Sequence, residues 1–117
     1  MSRLASVACL LAGAVAAGAV TLERLSIDDL VSRSTAIIRG RVQGTEAHSR
    51  GALVYTHYAV QVVERLKGPE RASWDVAVPG GITGGVRQTI AGAPQLKPGA
   101  EYILFLWTGR DGLTQIL

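Results

Sequence analysis

The run Val54 to Gly68, VYTHYAVQVVERLKG, has the longest clear two-residue period in the chain. Val54, Thr56, Tyr58, Val60 and Val62 fall on one face, and Tyr55, His57, Ala59 and Gln61 on the other. That is the pattern of a β-strand with one apolar and one mixed face. Beyond Val62 the phase slips, because Val63 and Leu66 are the next apolar residues while Glu64, Arg65 and Lys67 are charged. Such a slip implies a β-bulge or a coiled strand, as a small curved sheet needs. Tyr58, Val60 and Val62 are expected in the core, with Leu66 rejoining it after the slip. Gly68-Pro69 ends the strand.

The rest of the chain supplies partners for this strand. Ser26 precedes Ile27-Asp28-Asp29-Leu30-Val31, a short helix with a capping hydroxyl and two acids in its first turn. A helix this short must dock an apolar face, here Ile27, Leu30 and Val31. Thr35 to Thr45 reads as the first strand, with Ala36, Ile38, Gly40, Val42 and Gly44 inward and Ile37, Arg39, Arg41 and Gln43 outward. Gly40 and Gly44 imply curvature or the close approach of another segment. Glu46 to Ala52, which contains His48, reads as a polar hairpin loop. Ser73 to Pro79 is a strand with Trp74, Val76 and Val78 inward and Asp75 and Ala77 outward. Pro79 to Gly85 is a glycine-rich loop, and Val86 to Ile90 a short strand. Glu101 to Thr108 is apolar on both faces and therefore central or covered. Gly109 to Gly112 turns the chain into a last strand from Leu113. Five or six short strands with regular turns and one short helix argue for a mainly β fold, a small antiparallel barrel or a sandwich.

The first nineteen residues carry the marks of an export signal. Arg3 gives a positive start, Leu4 to Val15 an apolar run, and Ala14 to Ala19 small residues of the A-x-A kind. Cleavage is expected after Ala19, with Ala16 and Ala17 as alternatives. The expected organisation is a signal over 1–19, a lead-in and helix over 20–34, and the barrel over 35–117. The chain ends abruptly inside its last strand, as a truncated barrel would. Cys9, the only cysteine, lies in the signal, so residues 20–117 must hold together without a disulfide. Twelve basic and nine acidic residues leave a scattered charge of +3 with no basic stripe, which argues against nucleic acid as a partner. The membrane is expected to be met only transiently, through the signal.

Chemistry-bearing motifs are sparse. The loop Gly80, Gly81, Gly84, Gly85 could offer backbone N–H groups to an anion. It lacks the Lys-Ser/Thr of a phosphate-binding loop, and a strand follows it where a helix is required. Arg39, Arg41 and Arg87 are the basic residues grouped with it as a candidate contact surface. His48 and His57 have no spacing that marks a metal site, and no serine sits in a nucleophile elbow. No catalytic residue, metal or cofactor is therefore expected. Glu46, Glu64, Glu70, Asp75, Glu101 and Asp111 could pair only in space. Trp74, Trp107, Tyr55 and Tyr102 could form an aromatic face, although Trp74 and Tyr102 have core phase.

The order of motifs, STAIIRGRV (Ser34 to Val42), YAVQVVERLKG (Tyr58 to Gly68), LKPGAEYILFL (Leu96 to Leu106) and GRDGL (Gly109 to Leu113), resembles netrin-like domains. Those include the inhibitory domain of tissue inhibitors of metalloproteinases, and small exported bacterial proteins of unknown function share the layout. The resemblance spans Ser34 to Leu117 and implies a five-stranded OB-type barrel. Inhibitors of that family chelate zinc through an N-terminal cysteine, which residues 20–117 lack, so no site residue transfers. The expected function is an exported, non-catalytic interaction module, secreted or periplasmic, with an extracytoplasmic protein as partner. The alternatives are an inhibitor or accessory domain of an extracytoplasmic protease, and an enzyme with an unrecognised site. N-terminal sequencing of the exported protein is expected to begin at Val20; Met1 retained on a soluble cytoplasmic protein would refute the export signal.

Overall fold

A computed structural model describes residues 26–117; the expected signal and the lead-in up to residue 25 lie outside the described residues. The first element among the described residues is helix α1 (Ile27–Arg33). The Asp29 amide donates to Ser26 Oγ at 3.0 Å, and the Ser26 amide donates to Asp29 Oδ2 at 3.3 Å, which closes a capping box. Its expected docking is slight. Leu30 is half-buried, but Ile27 and Val31 are exposed.

Strands β1 (Ala36–Arg50) and β2 (Leu53–Lys67) form one long antiparallel hairpin closed at Gly51-Ala52. The segment Glu46 to Arg50 is therefore strand and not loop. Ala47 is its only apolar side chain, too little to mark a period. Strands β3 (Ser73–Pro79), β6 (Glu101–Thr108) and β7 (Thr114–Ile116) complete a five-stranded sheet in the order β3-β2-β1-β6-β7. Three hairpin-linked strands and a fourth that returns beside the first make a Greek key. The glycine-rich segment is a ribbon of its own, β4 (Gly81–Thr83) against β5 (Val86–Gln88). Gly84 and Gly85 turn it with φ of 59° and 80°, values that favour glycine. The Gln88 side chain anchors it. Its Oε1 accepts the Val54 N–H at 2.7 Å, and its Nε2 donates to Ala52 O at 2.8 Å.

Three bulges set the shape of the hairpin. Gly40 faces Val62 while Arg39 faces Glu64, so Val63 is an extra residue where the phase slip was expected. A second extra residue is Leu66, between the Ile38–Arg65 and Ile37–Lys67 pairs. This second bulge keeps Leu66 out of the core, contrary to expectation, at 50% exposure. A third lies on β1 at Gln43, between Val42–Val60 and Gly44–Ala59. It reverses the facing of the residues after it, so Gly44 lies on the outer face and not the inner one.

The core is built from Ala36, Ile38, Val42, Tyr58, Val60, Trp74, Val76, Val78, Leu96, Leu104 and Leu106. Two residues expected outside are also buried. Ile37 sits between its neighbours Phe105 and Lys67, near the point where α1 meets β6. Ala77 lies where β7 packs against β3. The sheet curls far enough to bring its two edge strands together. Among the described residues no ladder joins β3 to β7, so the sheet is not a closed barrel. A cavity of about 190 Å³ lies along that seam, lined by Ala77, Val78, Pro79, Pro94, Gln115 and Ile116. Leu106→Ala empties a fully buried site and is expected to cost about 3 kcal/mol. It should appear as a lower urea midpoint at unchanged slope. Leu66→Ala is expected to change stability by less than about 0.5 kcal/mol.

Candidate ligand-binding groove

The Gln43 bulge turns Gly44, Glu46 and His48 to the outer face, opposite Ala59, His57 and Tyr55. Ala59 in turn faces Asp75 on β3. One rung across three strands thus carries a glycine, an alanine and an aspartate. The first two make a floor, and larger residues rise on either side. The resulting groove has a volume of about 460 Å³ and is lined by Gly44, Glu46, His48, His57, Trp74 and Asp75, with Thr45, Ala59, Arg71 and Ser73.

Gly44 and Gly40 lack side chains for different reasons. A Cβ at Gly40 would come within 2.5 Å of Val60 Cγ1 and 3.2 Å of Gln61 O, so the sheet interior excludes it. At Gly44 nothing lies within 4 Å. Glycine inside a strand sacrifices stability and often marks a place where another molecule comes close. Among the described residues no segment covers Gly44.

Hydrogen bonding organises the walls. His57 Nδ1 lies 3.0 Å and 3.2 Å from the two Asp75 oxygens. An ionised carboxylate can only accept, so Nδ1 is the donor of this contact. The His48 ring meets His57 edge to face at 5.1 Å, and its Nε2 lies 3.5 Å from Glu46. At the β3 wall the Arg71 guanidinium stacks 4.1 Å over the Trp74 ring. Trp74 is buried as its phase indicated, and its buried indole Nε1 has no hydrogen-bond partner among the described residues. A buried donor in that condition costs about 1–3 kcal/mol. Among the described residues no three His, Cys, Asp or Glu side chains converge as a metal site.

The residues singled out from sequence are not brought together. Arg39 and Arg41 lie outward on β1, in a band of ion pairs. Arg39 donates to Glu64 at 3.3 Å and to Glu101 at 3.1 Å, and Arg41 donates to Glu101. Gly80, Gly81, Gly84, Gly85 and Arg87 belong to the ribbon, which folds over the far end of the hairpin with Gly81 against Val54, Thr56 and Ala47. Arg87 is exposed and pairs with Ile82. Gly80, next to the ribbon, is tied to β2: its N–H donates to Val54 O, and its carbonyl accepts from Thr56 Oγ1. The four aromatic residues form no common face either. Trp107 is 44% exposed, whereas the hydroxyl of half-buried Tyr102 accepts from the Lys97 amide. The groove residues Glu46 and His48 were missed because their polar alternation looks like loop. Asp75 and His57 carried a faint signal, one on the outer face of each strand.

No protein-family model matches the chain, and no curated protein or solved structure matches it. Among the described residues no helix is long and apolar enough to cross a membrane.

The hydrogen bond from Arg41, and then that from Arg39, hold the Glu101 carboxyl below its ordinary value of 4.5. A depressed carboxylate stabilises the fold above its ordinary range, and that contribution is lost as the pH falls through the depressed value. Glu101→Gln is therefore expected to lower the urea midpoint near pH 7 and to converge with the wild type in acid, once the Glu101 carboxyl is protonated. The difference near neutrality should shrink in high salt.

Proposed function

We propose that the protein is an exported, non-catalytic binding module whose ligand lies in the groove over Gly44 and Ala59. Its scaffold is a partly open barrel of the OB, netrin-like type. The Greek-key strand order and the contact between β3 and β7 support that reading of the scaffold. The N-terminal positive start, apolar run and small-residue sites support export. The observation that carries the binding role is the open space above Gly44, in a groove where polar side chains from three strands converge.

A second reading draws on the His57–Asp75 pair, which has the form of a general base and its orienting carboxylate. Ser73 and Thr45 bring hydroxyls to the groove. Among the described residues, however, no hydroxyl hydrogen-bonds His57, so no activated nucleophile is assembled. Binding is the better account.

Gly44→Tyr fills the floor at a position with room for a side chain. It is expected to leave the melting temperature within a few degrees of wild type and to abolish capture of the natural ligand from the extracytoplasmic fraction. Capture unchanged by Gly44→Tyr would sink the groove as the binding site. Turnover of an ester, phosphate or peptide substrate that is lost in His57→Ala would favour catalysis.

A further inference from the structure

We propose that the end of the molecule formed by the β1–β2 turn, the β4–β5 ribbon and the β6–β7 turn docks on an anionic lipid bilayer. The surface is separate from the groove and does not depend on it. The folded domain then meets the membrane itself, beyond the transient contact expected of the signal.

Strand register brings the three reversals together. Pairing of β1 with β6 ends at Arg41, and pairing of β2 with β3 ends at Tyr55. The stretch from Ser49 to Val54 therefore runs on past the rest of the five-stranded sheet. The ribbon is fastened to it there, because Gln88 bonds both Val54 N–H and Ala52 O. The β6–β7 turn reaches the same place, where Arg50 donates to Asp111 O at 3.3 Å. Among the described residues nothing lies within 4 Å of a Cβ placed at Gly51, Gly84, Gly85 or Gly112, so the tips are uncovered.

What this end exposes is aliphatic and basic. Leu53, Ile82 and Val86 are 51%, 54% and 51% exposed. Arg50, Arg87 and Arg110 are exposed beside them, against the single acid Asp111, which pairs with Arg50. No Asp or Glu occurs between Glu46 and Glu64, which bound the hairpin turn, or between Asp75 and Glu101, which bound the ribbon. An anionic bilayer suits that combination: aliphatic side chains enter the acyl boundary while guanidinium groups bond the phosphates above it. The other end of the hairpin, where Lys67 Nζ donates to Val31 O, also exposes apolar residues such as Val31 and Leu66. Asp28, Asp29, Glu64 and Glu70 stand there among basic residues, and a negative surface would repel them. Charge therefore selects the ribbon end.

The test sediments the chain from Val20 onward, the form expected after export, with vesicles of phosphatidylcholine alone or containing about one-third phosphatidylglycerol. Saturable binding is expected to the mixed vesicles only, and added salt should weaken it. Arg87→Gln and Arg110→Gln are each expected to weaken binding about five-fold. Ile82→Ser should weaken it about ten-fold, with a melting temperature close to that of the wild type. Ile103→Ser, on the outer face of β6, and Gly44→Tyr, in the groove, are expected to leave it unchanged. No binding to the mixed vesicles, or equal binding to both kinds, would overturn the proposal. Ile82→Ser bound as tightly as the wild type would overturn the bilayer as partner, because a soluble polyanion needs only the arginines. Loss of vesicle binding in Ile103→Ser or Gly44→Tyr would place the contact on another face and overturn this one. Gly44→Tyr that no longer captures the natural ligand yet still binds mixed vesicles would support two separate surfaces.

Discussion

The long ladder between β1 and β2, broken by three single-residue bulges, is the constraint on which the other strands depend. An unbroken fifteen-residue hairpin would stay a twisted two-stranded ribbon, with its inner face too straight to enclose a core. Each extra residue bends its strand and increases the local right-handed twist. The bulges at Val63 and Leu66 coil β2 at the end where α1 and β6 gather, and the bulge at Gln43 acts on β1 further along. The sheet then curls until β3 meets β7, and Ile38, Val42, Val60, Val76 and Leu106 are sealed between them.

The same bulges decide where chemistry can be displayed. Because side chains alternate at every residue of a strand, one extra residue exchanges the two faces downstream. Gln43 is that residue for the distal half of β1. It sets Gly44, Glu46 and His48 on the outer face, over against His57 and beside Asp75. The groove is a by-product of curvature: the irregularity that helps bend the sheet also aligns small residues into a floor and polar ones into walls. The neighbouring band of Arg39, Arg41, Glu64 and Glu101 contrasts with it. Those charges satisfy one another, as exposed cross-strand pairs commonly do, and contribute modestly to stability.

Much of the fold was legible along the chain. Ser26 with Asp29 marked the helix start, the alternation through Val54 to Val62 marked β2, and the Trp74, Val76 and Val78 phase marked β3. The slip at Val63 was visible because apolar residues stand on both sides of it. The slip at Gln43 was not, because Gln43, Thr45, Glu46 and Ser49 offer no apolar marker against which to measure phase. Leu66 was misplaced for a related reason, since a second bulge so close to the first resembles a return to register. Burial of Ile37 and Ala77 depended on α1 and β7, elements distant in sequence.

The sequence by itself determined a mainly β chain, the places of its strands and turns, its capped helix and most of its core, because those follow from alternation and local backbone preference. Only the tertiary structure decided that the glycine segment is an anchored ribbon, that Arg39 and Arg41 are neutralised by carboxylates, and that Glu46, His48, His57 and Asp75 share a groove. Those facts depend on register between strands. Register is set by cross-strand packing and by bulges, whose effect spreads to every residue beyond them.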